Sequence, residues 1–123
     1  RVERMEYVFD FERLEVYQRA IQFVSRVYRL TDQFPRHETF GLAAQLQRAA
    51  VSIPANIAEG SGRYSTPERR QFYRVARASV FECVALLEVA KCERYLGEAE
   101  WQQAYNECFR LSQMISGLVR SLK

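Results

Sequence analysis

The chain has 123 residues, enough for one compact domain with a single core and little to spare. Apolar residues make up 48% and charged ones 27%. That balance excludes a largely disordered chain, and no run approaches the roughly 18–20 continuous apolar residues of a membrane span. The net charge of +3 is too small to mark a nucleic-acid binder by itself, although 16 of the 18 basic residues are Arg. Guanidinium forks suit phosphates and buried carboxylates better than Lys does.

Residues 1–9 read as a mobile N-terminal tail and 10–123 as one domain. The start, RVERMEYVFD, places charges where a signal peptide would carry its apolar region, so export is not expected. A first helix is predicted from about Glu12 to Asp32. Its apolar side chains, Leu14, Val16, Tyr17, Ala20, Ile21, Phe23, Val24, Val27, Tyr28 and Leu30, cover an arc of about 200°, where one bundle core needs little more than ~100°. The excess suggests two buried faces, one inside the bundle and one against another subunit. Phe34-Pro35 ends this helix, because the residue before proline is pushed out of the helical region.

A second helix is predicted from about Glu38 to Glu59, with Leu42, Leu46, Ala49, Ala50, Ile53 and Ile57 as its apolar face and a stop at Gly60-Ser61-Gly62. Pro54 sits inside it, where a proline ordinarily costs about 3 kcal/mol and leaves the carbonyl four residues earlier without a donor. A third helix opens at Ser65-Thr66-Pro67-Glu68, capped either by Thr66 with Pro67 first in the helix or by Ser65 paired with Glu68. Its expected core face is Phe72, Val75, Ala76, Ser79, Cys83, Leu86, Leu87 and Ala90, after which Gly97 turns the chain. A fourth helix runs from about Glu98 to Leu122 and is expected to bury Trp101, Ala104, Tyr105, Cys108, Leu111, Ile115, Leu118 and Leu122. Four long helices with short connections predict an all-α, antiparallel up-down-up-down four-helix bundle.

Two sets of residues stand out on these helices. Gln45, Arg48, Ser52, Asn56 and Glu59 lie on one line of the second helix, together with Pro54 and Gly60. The line reads either as a solvated outer face or as a partly buried polar seam in which Ser52 or Asn56 serves the carbonyl freed by Pro54. On the third helix Arg70, Arg74 and Arg77 are spaced i, i+4, i+7, with Tyr73 and Phe81 beside them and Arg63 and Arg69 nearby. From Gly60 to Phe81 these five arginines face one acid, Glu68. Basic and aromatic side chains interleaved in this way suit nucleic acid, guanidinium on phosphate and ring on base; the plainer reading is a subunit interface or a solvated face. Gly60-Ser61-Gly62-Arg63 reads as an anion cradle or as a simple connector.

Nothing in the chain predicts catalysis. His37 is the only histidine and falls in the first connection, and no Glu-x-x-His spacing or acid–base pair is visible, so no metal, no cofactor and no enzyme activity are expected. Cys83, Cys92 and Cys108 are odd in number and form no C-x-x-C, which points to reduced thiols and a cytoplasmic setting.

The second-helix residues and their flanks resemble the bacterial four-helix-bundle family of 23S rRNA intervening-sequence proteins. The match is carried by Phe34-Pro35, Glu38, Gly41-Leu42, Gln45-Leu46, Arg48-Ala49-Ala50, the run Val51 to Gly60, Gly62-Arg63 and Ser65. Looser agreement continues at Ala76, Ser79, Glu82 and Leu86, and Leu14, Val16-Tyr17 and Ala20 fit the first helix. The resemblance implies a ring-shaped homo-oligomer, typically a homopentamer, with basic surface lining or flanking a channel and no enzymatic activity. More distantly, the chain is similar to accessory proteins of diversity-generating retroelements, which share the fold and assist a reverse transcriptase. Two functions follow as expectations. One is a non-catalytic, homo-oligomeric RNA-binding or scaffold protein acting through Arg63, Arg69, Arg70, Tyr73, Arg74 and Arg77. The other is a protein–protein accessory subunit of a reverse transcriptase that holds nucleic acid only in the joint complex.

Overall fold

The structure, a computed structural model, describes residues 7–123. The tail expected over 1–9 falls largely on residues outside that range; Tyr7, Val8 and Phe9 are exposed and form no regular element. A 3-10 turn, Asp10–Arg13, leads into α1 (Glu15–Thr31), and a second, Arg36–Glu38, precedes α2 (Leu42–Ser61). Helices α3 (Thr66–Cys92) and α4 (Glu98–Arg120) follow, and the described residues contain no strand. Each helix packs on two others, α1 and α3 both lying against α2 and α4. The cyclic order α1-α2-α3-α4 and short connections make an antiparallel four-helix bundle.

Helix α1 begins later than Glu12 because Leu14 takes an extended conformation (φ −68°, ψ 128°). The preceding turn docks on the helix through Gln18 Nε2, which donates to the Glu12 carbonyl at 2.9 Å, and through Phe11 edge-on to Tyr17 at 4.9 Å. Val16, Ala20, Phe23, Val27 and Leu30 form the buried stripe, at alternating four- and three-residue steps. Ile21 and Tyr28 remain exposed.

The start expected at Glu38 is displaced to Leu42, and Glu38 serves as a cap from outside the helix. Gly41, at the cap position, has no side chain to offer, so Glu38 Oε1 accepts the Leu42 N–H at 3.0 Å. Helix α2 continues through a buried Pro54. Its glycine stop works differently from the expectation. Gly62 ends the helix in the right-handed region (φ −87°), whereas Gly60 lies buried within the last turn. A Cβ on Gly60 would sit 2.8 Å from Tyr73 Cε1, so the absent side chain lets α2 and α3 approach.

Ser65 caps α3, accepting the Glu68 N–H at 3.3 Å, while Thr66 donates to the Lys123 carbonyl at 2.7 Å. The buried face of α3 is Tyr73, Ala76, Ser79, Val80, Cys83, Leu87 and Ala90. Relative to the expectation it is rotated toward Tyr73 and Val80: Phe72 and Leu86 are half-buried and Val75 is exposed. The rotation lets one helix satisfy α2 on one flank and α4 on the other. The turn after α3 is made by Arg94 (φ 65°), with the Tyr95 N–H donating back to the Ala90 carbonyl at 2.9 Å. Gly97, expected to turn the chain, instead caps α4 in an extended conformation, its N–H donating to Glu100 Oε1.

Helix α4 buries Ala104, Cys108, Leu111 and Ile115. Trp101, Leu118 and Leu122 are half-buried, and Tyr105 stands on the flank, exposed. At one end of the bundle the Tyr95 hydroxyl donates to Glu38 Oε2 at 3.0 Å, tying the α3–α4 connection to the α1–α2 connection. Burial pushes the Cys83 thiol up to about 12 and raises Cys108 as well; both are free thiols inside the core.

Candidate nucleic-acid interface

The structure divides the five arginines into two sets. Arg63 is occupied: its guanidinium pairs with Glu59 at 2.8 Å and lies over the Phe72 ring at 4.6 Å. Arg69 is occupied too, its Nε donating to the Arg63 carbonyl at 2.7 Å, where it braces the α2–α3 connection. Arg70, Arg74 and Arg77 make no ion pair among the described residues. Arg74 and Arg77 are exposed and Arg70 is half-buried, and their spacing sets them along one line of α3. Arg77 lies over the Phe81 ring at 4.6 Å, and Phe81 is itself 53% exposed.

Tyr73 does not belong to this surface, contrary to the expectation that it would offer a ring for stacking. It is buried, its hydroxyl 2.9 Å from Ser61 Oγ. The reason lies on the facing helix: Gly60 has no side chain, and the Tyr73 ring fills the space where a Cβ would lie 2.8 Å from its Cε1. Exposed rings near the arginines are Tyr64, next to Arg63 in the chain, Phe81, on the same line, and Tyr105 and Phe109 across the α3–α4 groove. Phe109 escapes a reading of periodicity because it flanks the α4 core stripe, one helical turn after Tyr105.

The polar line of α2 also divides. Gln45, Arg48 and Glu59 are exposed, while Ser52 and Asn56 are half-buried against α3. Ser52 Oγ lies 2.8 Å from Ser79 Oγ, a hydroxyl–hydroxyl hydrogen bond between the two helices. Asn56 Nδ2 donates to the Ser52 carbonyl at 2.8 Å and to Ser52 Oγ at 2.9 Å. The seam therefore exists, but neither side chain serves the Ala50 carbonyl freed by Pro54. Asn56 reaches back one turn, and one turn back is Ser52. Gly60 is a packing residue of the same interface, and Pro54 is buried within α2.

Glu38, outside both sets, is the most electrostatically perturbed carboxylate of the described residues. The Leu42 N–H and the Tyr95 hydroxyl hold it below the usual carboxylate range, with His37 contributing less. Its role is to cap α2. Three His, Cys, Asp or Glu side chains positioned to share a metal ion do not occur among the described residues.

A family model for the 23S rRNA-intervening sequence protein matches residues 12–117. The chain belongs to that family. A crystal structure of a protein of unknown function from the S23 ribosomal protein family of Bacteroides thetaiotaomicron is similar in fold, with a TM-score of 0.80. It is 19% identical, and the match covers 86% of this chain and 99% of that one. No functionally curated protein matches the chain. The regular elements of the described residues are all helical, and none of these helices is long and apolar enough to cross a membrane.

Proposed function

We propose that the protein is a non-catalytic RNA-binding protein that works as a homo-oligomeric ring, a homopentamer by family resemblance, and holds phosphates with Arg70, Arg74 and Arg77. The observation that carries this reading is the row of three guanidinium groups on one line of α3, free of ion pairs among the described residues and beside an exposed Phe81. Free cations spaced about 5–6 Å apart along a helix match the need of a phosphate backbone for successive positive partners. The family name supplies the choice of RNA. Arg63 and Arg69 hold the α2–α3 connection in place and are supporting residues in this reading.

The test is binding of a structured fragment of 23S rRNA by the purified protein across a salt series. Log affinity falls with log salt by about 0.7–0.9 for each phosphate neutralised. Arg70→Ala, Arg74→Ala and Arg77→Ala together should flatten the slope by about two to three and leave the helical content unchanged. An unchanged slope removes the three residues from the reading. The runner-up, an accessory subunit of a reverse transcriptase, draws on the apolar surface left exposed by the bundle. It requires that the isolated protein bind RNA negligibly at physiological salt and gain affinity when the polymerase is added.

A further inference from the structure

The arginine row of α3 borders an apolar groove. Projected along the helix, Arg70, Arg74, Arg77 and Phe81 fall within about 60° of one another. Val80, Phe81 and Val84 line a groove of about 180 Å³, closed on the other side by Tyr105, Cys108 and Phe109 of α4. The shoulder of α3 that carries the arginines is therefore the one turned toward α4. Its other shoulder carries Ser79, which meets Ser52 of α2. Phe81 belongs to both features, because its ring lines the groove and the Arg77 guanidinium lies over it at 4.6 Å. Seven residues past Phe81 the exposed Glu88 ends the basic line.

We infer that this groove receives one unpaired base of the bound RNA, stacked on Phe81 and Phe109, while Arg77 holds the phosphate of the same nucleotide. Size supports this occupant. A closed apolar cavity of about 150 Å³ accepts benzene, and drug-sized ligands fill about 300 Å³ or more, so 180 Å³ suits a single ring system. The lining agrees with size. Phe81 and Phe109 are 53% and 58% exposed, and the described residues form no aromatic pair across the groove. Tyr105 is instead held by Trp101 of its own helix, at 5.2 Å between ring centroids. The slot between the helices is thus open to an aromatic guest.

Charge is divided as a nucleotide divides it. The groove lining holds no ionised side chain, which suits an uncharged base, and the guanidinium groups stand outside it on the same helix. Arg77 and Phe81 are one turn apart, about 6 Å along the axis, so one nucleotide can reach both. Two hydroxyls, those of Tyr105 and Ser112, supply hydrogen-bonding groups to a base edge. Ser112 Oγ already donates to the Phe109 carbonyl at 2.7 Å, which leaves its lone pairs to accept from an exocyclic amine. Bases within a continuous duplex are stacked on one another and cannot enter, whereas those of bulges and loops can be splayed onto aromatic side chains. This inference rests on the phosphate-binding reading above and adds a substrate class: RNA that offers an unpaired nucleotide.

Fluorescence anisotropy with two RNA duplexes tests it, one carrying a single-base bulge and the other the same bulged nucleotide made abasic. The two probes have the same phosphates and differ by one base. Wild type should bind the bulged duplex about 5- to 150-fold more tightly, the range of one base–aromatic stack. Phe109 is the ring to change, since altering Phe81 would disturb Arg77 as well. Phe109→Leu keeps an apolar side chain without a ring; it should bring the two affinities together and leave the salt slope as in wild type. Phe109→Tyr should restore the gap, and circular dichroism checks that both variants are folded. Equal affinities in wild type, or a gap that survives Phe109→Leu, overturn the base site and leave the phosphate reading to its salt slope. Binding of neither duplex overturns both. Native mass spectrometry of Phe109→Leu should show the wild-type subunit number; a changed number puts a second copy in the groove and overturns the base site.

Discussion

Gly60→Ala probes a close approach of α2 and α3. The added Cβ would lie 2.8 and 2.9 Å from Tyr73 Cε1 and Cδ1 and 3.0 Å from Phe72 Cβ. Neither neighbour yields cheaply. Tyr73 is 2% exposed and its hydroxyl is bonded to Ser61 Oγ, while a Cβ moves only with its backbone. Alanine in a helix gains about 0.8–1 kcal/mol over glycine. Overpacking a tight interior loses about 1–3 kcal/mol, and breaking the Tyr73–Ser61 bond about 1 kcal/mol more. The net expectation is a destabilisation of about 1–3 kcal/mol, against the helix propensity. Gly62→Ala is the control: its Cβ would meet nothing nearer than 3.5 Å, its φ is −87°, and it should stabilise by about 0.4–1 kcal/mol. Urea denaturation followed by circular dichroism reads both, at one fixed protein concentration, because assembly makes the midpoint depend on concentration. In a Tyr73→Ala background most of the Gly60→Ala penalty should vanish, since the ring that opposes the methyl is gone. A Gly60→Ala protein as stable as wild type, or an undiminished penalty without the Tyr73 ring, would refute this account of the helix crossing.

Two further outcomes follow from the titrating groups. Glu38 is held below its ordinary value by the Leu42 N–H and the Tyr95 hydroxyl, so its stabilisation is present above the unfolded value of about 4.3 and lost as pH falls through the lower folded value. Glu38→Gln should therefore lower the Tm at pH 7, with the gap to wild type closing toward pH 3; a gap of constant size across that range contradicts the cap. Cys92 is exposed, whereas burial raises Cys83 and Cys108, so a thiol reagent at pH 8 should titrate one cysteine rapidly in the native protein and three in denaturant. Cys92→Ser should abolish the rapid phase, and rapid labelling that persists in that variant would mean that the core opens.

The readings that held are those that depend on local spacing alone. The stripe Val16-Ala20-Phe23-Val27-Leu30, the helix running through Pro54 and a start of α3 at one of the two caps offered, Ser65, are all set within a turn or two of chain. The excess apolar arc of the first helix was also legible, and Ile21 and Tyr28 are indeed left outside the core. The Arg70-Arg74-Arg77 row could be read from its spacing in the same way.

Rotation, adjacency and partnership were not legible in the same terms. Phe72 and Tyr73 are neighbouring aromatics at the edge of one apolar arc, and either fits a helical period. The bare Cα of Gly60 on the facing helix decides that Tyr73 goes inside. Phe109 and Tyr105 read as core or flank until α3 is placed beside α4. Five arginines of equal charge became two occupied and three without an ion pair among the described residues only when Glu59 and the Arg63 carbonyl came within reach. Amino-acid sequence by itself determined which segments are helical and which side chains each helix offers, because helical periodicity is local. Tertiary structure alone decided which way each helix turns about its axis and which faces stay uncovered, because that orientation is a compromise among several helices packed at once.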